Sequence, residues 1–146
     1  MIDPFLADFS FSDYWNETLS NMLETSLAGD FGAARKIWWD SGLFTPAMAN
    51  PGAARQLSSI FDRYSGWHFK NPLSLGVSAV SARLEEIKVP TLILVGDKDI
   101  QDFHDISLFL ERKIPDVRRC VVSGAGHMAN LEAPLEVNQA ILDFLD

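Results

Sequence analysis

Two short segments near the carboxyl end of this 146-residue chain carry residue types that do proton chemistry: Gly96-Asp97-Lys98-Asp99 and Gly124-Ala125-Gly126-His127. Each follows an apolar run that reads as a buried parallel strand. The carboxyl ends of such strands are where open α/β sheets gather their reactive groups. An acid followed along the chain by a histidine gives the second and third members of a nucleophile-acid-histidine triad. In that arrangement the carboxylate holds one ring nitrogen, and the other takes a proton from the nucleophile. The first member is not in this sequence, which contains no Gly-x-Ser-x-Gly segment. Ser123 does not supply it, because it precedes Gly124-Ala125-Gly126 without the strand-serine-helix elbow that exposes a nucleophilic oxygen.

The elements that must position these loops follow from periodicity. From Ser12, a hydroxyl cap, a first helix is expected with Trp15, Leu19, Met22, Leu23 and Leu27 on one apolar face, ending at Gly29. Asp30 caps a second, with Ala33, Ala34, Ile37 and Trp38 inward and Gly42 closing it. Pro51 suits the first position of a third, whose stripe is Ala54, Leu57, Ile60, Phe61 and Tyr64. Three amphipathic helices in a row make a lid-like layer. A linker over 65–81, holding Gly66, Pro72 and Gly76, leads to a short helical piece from Ala82 to Ile87, which Val89-Pro90 breaks. Thr91-Leu92-Ile93-Leu94-Val95 is apolar throughout, as a strand covered on both faces must be. A helix capped by Asp102 runs to about Arg112, a second strand spans Arg118 to Val122, and a last helix from Pro134 buries Val137, Ile141, Leu142 and Phe144 or Leu145. Strand, helix, strand, helix with crossover-length connections is a right-handed βαβ unit plus one helix. Met1-Ile2-Asp3-Pro4 reads as the tail of a further strand.

Composition bounds the function classes. An apolar share of 47% over one domain's length is enough to build a core. Net charge is −8, with twelve scattered Lys and Arg, so the electrostatic footprint of a nucleic-acid binder is absent. The single cysteine, Cys120, has no intrachain partner and reads as a buried structural thiol. There is no basic-then-apolar leader and no apolar run of membrane-spanning length, so a cytoplasmic location and no membrane partner are expected.

The run Leu84-Glu85-Glu86-Ile87-Lys88-Val89-Pro90-Thr91-Leu92, then Gly96-Asp97-Lys98-Asp99, then Gly124-Ala125-Gly126-His127 with Glu132, Pro134 and Asn138 behind it, resembles the C-terminal part of the capped α/β-hydrolase family. The resemblance covers the whole chain. Residues 1–81 resemble the helical cap and hinge, and 82–146 the closing part of the sheet domain. It implies a partial α/β-hydrolase fold: a helical cap followed by a β-α-β-α unit with two parallel strands. In that family the last two strands carry the catalytic acid and histidine. Asp99 and His127 match those positions, and Asp97, beside Gly96, is expected to tie the turn. The N-terminal half of the family fold, with its oxyanion loop and nucleophile, is absent from this sequence. The resemblance therefore implies a truncated form with no hydrolytic turnover on its own. Whether the nucleophile is Ser, Asp or Cys stays open, because serine hydrolases and aspartate-dependent dehalogenases and epoxide hydrolases share the scaffold.

Trp67, Ile100 and Met128 are the candidate pocket residues: Trp67 at the hinge, the other two next to Asp99 and His127. Trp67 serves equally as an anchor for the cap, and Trp38-Trp39 reads as packing. His68 and His104 lack a second ligand at metal spacing, so no metal and no cofactor is expected. The partners implied are a small-molecule substrate when the fold is complete, with an ester, amide, C–C or similar bond. Association with an N-terminal half or with another copy is also implied, because a two-stranded sheet leaves an open edge. The competing class is a non-catalytic, self-associating or partner-binding module derived from the same fold.

Overall fold

The computed structural model describes residues 1–71 and 80–146. Its centre is β1, Thr91–Gly96, paired in parallel with β2, Val117–Val122, so that Gly96 lies opposite Val122. Between them runs α6, Gln101–Lys113, and after β2 come the short α7, Ala129–Glu132, and α8, Pro134–Leu145. β1 is apolar along its length because both of its faces are covered. Ile93 packs with Ile106, Leu110 and Ile114 on the α6 side, and Leu92 and Leu94 pack with Val122, Ala129 and Val137 on the α8 side. The alternation within β1 thus sorts its side chains between two cores.

A third segment completes this sheet. The carbonyl of Met1 accepts from Leu94 N at 2.8 Å, and Asp3 N donates to Leu94 O at 2.9 Å, with Ile2 bridged in parallel to Leu94. Residues 1–3 therefore belong to the sheet and cover part of the β1 edge. The strand tail expected at Met1-Ile2-Asp3-Pro4 is this segment, and it partly covers the edge of β1 that a two-stranded sheet is expected to leave open.

The remaining N-terminal residues form a helical layer: α1, Asp13–Leu27; α2, Phe31–Trp39; α3, Thr45–Ala49; α4, Pro51–Arg63; and α5, Trp67–Lys70. Ser12 and Asp30 cap as expected, and Asn50 adds a cap ahead of Pro51. Ser12 Oγ accepts from Trp15 N, Asp30 from Ala33 N, and Asn50 Oδ1 from Gly52 and Ala53 N with Pro51 at the first position. The layer is fastened to the sheet by Trp15, Leu43, Phe44, Ala47 and Leu57, which pack with Val95 and Phe103. Trp38 and Trp39 lie among Phe44, Phe61, Tyr64, His68 and Phe69 in one aromatic cluster, so both indoles pack rather than project.

Several expectations are corrected. The Gly42–Phe44 turn and α3 fall where the sequence shows only a break, because five residues are too few to display a helical period. Leu23 and Leu27 on α1, Ile60 on α4, and Leu142 and Leu145 on α8 are exposed, so each apolar stripe is wider than the face that finds a partner. On α4 it is Ala53 with Leu57 that is buried. The helical piece before β1 is a 3-10 helix, Val80–Glu86, starting before Ala82. Ile100, not Asp102, precedes α6; Asp102 is buried and accepts from Ser12 N at 2.6 Å and Ser12 Oγ at 2.7 Å, tying α6 to the start of α1. Cys120 is half-buried, packed beside Val122 and Val137. Pro72 and Gly76 of the expected linker lie outside the described residues. No helix among the described residues is long and apolar enough to cross a membrane.

Candidate active site

Parallel pairing sets the two loops side by side, since β1 and β2 end at the same level. Backbone bonds then sew them together: Asp97 N donates to Val122 O at 3.0 Å and Lys98 N to Ala125 O at 2.8 Å. The Asp97 carboxylate accepts from Gly124 N at 2.8 Å. Gly124 takes φ 75°, a left-handed turn that glycine makes without a Cβ penalty. Gly96 has a different reason for being glycine. A Cβ there would meet Ala125 O at 2.3 Å and Gly126 O at 2.4 Å, so the histidine loop lies directly on the strand end.

This stitching brings the two chemical residues into contact. His127 Nδ1 and Asp99 Oδ2 are 2.9 Å apart, with the Asp99 side chain 0% and the His127 side chain 16% exposed. Asp99 Oδ1 accepts from Ile100 N at 2.8 Å, so each carboxylate oxygen has an N–H partner. The ring of His127 rests against Phe103, with centroids 4.3 Å apart. With Nδ1 bound to the acid, Nε2 is the ring nitrogen left for a reacting group, and among the described residues it has no hydrogen-bond partner. An enclosed carboxylate on one nitrogen and no protein partner on the other among the described residues is a geometry suited to general base catalysis.

Of the three candidate pocket residues, two lie by this pair. Ile100 and Met128 are partly buried and pack against the Trp15, Leu43 and Phe44 cluster beneath the helical layer. Trp67 is not among those side chains; it is 57% exposed on α5, which packs against α1 and α2. His68 bonds Tyr64 through Nδ1 and sits against Phe69, where burial lowers its pKa.

Two acids beside the pair are given no role by the sequence reading. Glu132 clips the histidine loop from below, its Oε2 accepting from Gly126 N at 2.9 Å and its Oε1 from Met128 N at 3.1 Å. The signal was present, since a carboxylate within the first turn after a loop is placed to reach back to free N–H groups. Asp3 is the second. Its backbone is left-handed, φ 43°, its side chain is buried, and one oxygen of Asp3, one of Asp99 and a ring nitrogen of His127 all lie within 4.8 Å of one another. Among the described residues this is the one grouping with ligand atoms close enough to hold a metal ion, although His127 Nδ1 is already engaged by Asp99.

The comparisons agree with this geometry at the level of the fold. No protein-family model matches the chain. Carboxylesterase YbfK of Bacillus subtilis (strain 168) is 28% identical over 123 residues, which is 82% of this chain and 40% of the relative. Bifunctional epoxide hydrolase 2 of Mus musculus is 35% identical over 60 residues, 41% of this chain and 11% of the relative. The solved structure of MenH from S. aureus superimposes with a TM-score of 0.71 at 24% identity, covering 92% of this chain and 54% of that one. The chain thus spans less than half the length of these curated relatives. The chain has a partial α/β-hydrolase fold, similar to a part of these proteins.

Proposed function

We propose that Asp99 and His127 are the acid and the base of an α/β-hydrolase triad whose nucleophile is carried outside these 146 residues. The observation that supports this reading is the 2.9 Å bond between His127 Nδ1 and the enclosed Asp99 Oδ2 at the ends of two adjacent parallel strands. In the reaction, His127 Nε2 takes the proton of the nucleophile as it attacks. Asp99 holds the tautomer and stabilises the imidazolium that forms, and His127 then returns the proton to the leaving group. The helical layer of 13–70 acts as the cap, with Ile100 and Met128 at the floor of the substrate space beneath it. An ester is the bond favoured, because the relative matched over 82% of the chain is named a carboxylesterase. The oxyanion donors and the nucleophile, which carry the largest catalytic contributions, come from the other segment.

The test joins the upstream coding DNA to an assay. The frame immediately upstream is expected to encode a nucleophile elbow. The chain alone is expected to hydrolyse p-nitrophenyl butyrate no faster than buffer, and co-expression with the upstream product to give turnover. That turnover should fall by about 10³–10⁴-fold in Asp99→Asn and at least as far in His127→Ala. An upstream frame without an elbow, or reconstituted activity indifferent to both substitutions, overturns the assignment. Esterase activity of the chain alone that vanishes in both variants overturns the external nucleophile.

A further inference from the structure

We propose that Asp3 is the protonated half of a two-carboxyl pair, its Oδ2–H donating to Asp99 and holding Asp99 in register with His127. The two carboxyl groups have unequal partners. Asp99 receives two N–H donors, from Ile100 at 2.8 Å and His127 at 2.9 Å. Asp3 receives one, from Gly96 N to Oδ1 at a long 3.4 Å, and its Oδ2 is buried with no hydrogen-bond partner among the described residues. An ionised carboxylate does not persist in that condition, because an enclosed charged oxygen without a donor carries its full desolvation cost.

Charge leads to the same assignment. Two carboxyl groups with oxygens within 4.8 Å of one another repel when both are charged, which favours a proton on one of them. The donors decide which keeps it: the negative charge stays on Asp99, where two N–H groups meet it, and the proton goes to the orphaned oxygen of Asp3. The third acid facing Asp3, Glu132, adds to the cost of charging it, while His127 is turned toward Asp99. Burial first, and then the charge of Asp99, push the Asp3 carboxyl up to about 8, against an ordinary value of 3.8. Once neutral, Asp3 becomes a donor, and the acceptor it faces is Asp99.

The consequence is positional. Asp99 gains a third donor from the strand on the far side of β1, and its oxygens are fixed between segments from three parts of the chain: 1–3, the start of α6 and the histidine loop. The left-handed turn at Asp3, tolerated by aspartate better than by most residues, is what carries its side chain to this point. Asp3 is thus a positioning residue for the pair described above. The inference rests on that pairing but not on turnover.

The experiment is NMR of the full chain with ¹³C at the aspartate carboxyl carbons, titrated with a chelator present, on wild type, Asp3→Asn and Asp3→Ala. One carboxyl carbon is expected to titrate with a midpoint above about 6, far from the ordinary carboxylate range, and to be absent from both variants. The Nδ1 proton of His127 is expected to exchange at the wild-type rate in Asp3→Asn, whose amide also donates, and about 10-fold faster in Asp3→Ala. An Asp3 midpoint below about 6, or equal exchange in the two variants, overturns the proposal. Should Asp3→Ala fail to fold, the wild-type titration and Asp3→Asn still decide it. Because no step reads hydrolysis, failure here leaves the proposed reaction standing, and failure of the esterase test leaves this one standing.

Discussion

The carboxylate of Asp97 accepts a hydrogen bond from the backbone N–H of Gly124 at 2.8 Å, joining the acid loop to the histidine loop across the ends of β1 and β2. Glu132 does comparable work on the other side of His127, receiving Gly126 N and Met128 N. The two acids differ in environment, since Asp97 is exposed and Glu132 half-buried. Asp97→Ala is therefore expected to cost about 1 kcal/mol, after allowance for solvent screening, and Glu132→Ala about 2–3 kcal/mol. Urea unfolding of the two variants checks the order, and faster amide exchange at Gly124 in the first and at Gly126 in the second locates the loss.

The glycines of the site divide by physical cause. Alanine at Gly96 would place Cβ 2.3 Å from Ala125 O, a backbone atom that cannot rotate away, and at Gly126 it would lie 2.5 Å from Cγ of Pro46. Gly124 has open space around it and is constrained by φ alone. Gly96→Ala and Gly126→Ala are expected to lose about 3 kcal/mol or more through forced displacement, and Gly124→Ala about 1–2 kcal/mol through left-handed strain. Equal losses at all three, measured by denaturant melts, would show that the close approach of the loops is not what holds them.

The parts of this architecture readable in the sequence are those encoded locally. The run at 91–95 declares a covered strand, Ser12, Asp30 and Asn50-Pro51 announce helix starts, and Asp99 and His127 stand out through the glycines beside them. What could not be read depends on distant partners. Asp102 looks like a cap, but its oxygens serve Ser12, ninety residues away in the chain. Leu23, Leu142 and Leu145 continue apolar periods beyond the faces that are covered, because periodicity reports a stripe and not its partner. Asp3 gives no sign of its place beside Asp99, since the pairing arises only when residues 1–3 align along β1.

Asp3 also gives the folded chain a pH dependence of definite sign. Its carboxyl is raised from 3.8 to about 8 by burial and by Asp99. Between those values the unfolded chain has released the proton and the folded chain still holds it. The stabilisation from protonated Asp3 is therefore whole below the lower value and is lost as pH rises toward the upper one. The slope from this group reaches at most about 1.4 kcal/mol per pH unit. Subtracting the stability curve of Asp3→Asn from that of wild type isolates it, because the other titrating groups are common to both. A difference that falls with rising pH between 4 and 8 is the expected outcome, and a flat difference would mean that Asp3 is ionised throughout.

Self-association is the last expectation, and it follows from where apolar surface is left uncovered. Met1, Ile2 and Phe5 are 50%, 40% and 50% exposed in and just after the 1–3 segment, and Leu142 and Leu145 are 56% and 72% exposed on α8. Met1, Ile141, Phe144 and Leu145 line one shared hollow with Leu92, so these two surfaces meet at the same end of the sheet. Contiguous apolar surface beside an unpaired strand edge attracts further chain, by hydrophobic burial and by backbone pairing together. Light scattering on an eluting column is expected to give a mass above the 16.3 kDa of one chain, rising with concentration. Charge placed at the meeting point, in Leu145→Lys, should lower it, while the same change at Leu27, exposed at the end of α1 and not part of that hollow, should not. A monodisperse single chain at every concentration, melting cooperatively, would show that the 1–3 segment, α6 and α8 cover the sheet well enough for the chain to stand alone.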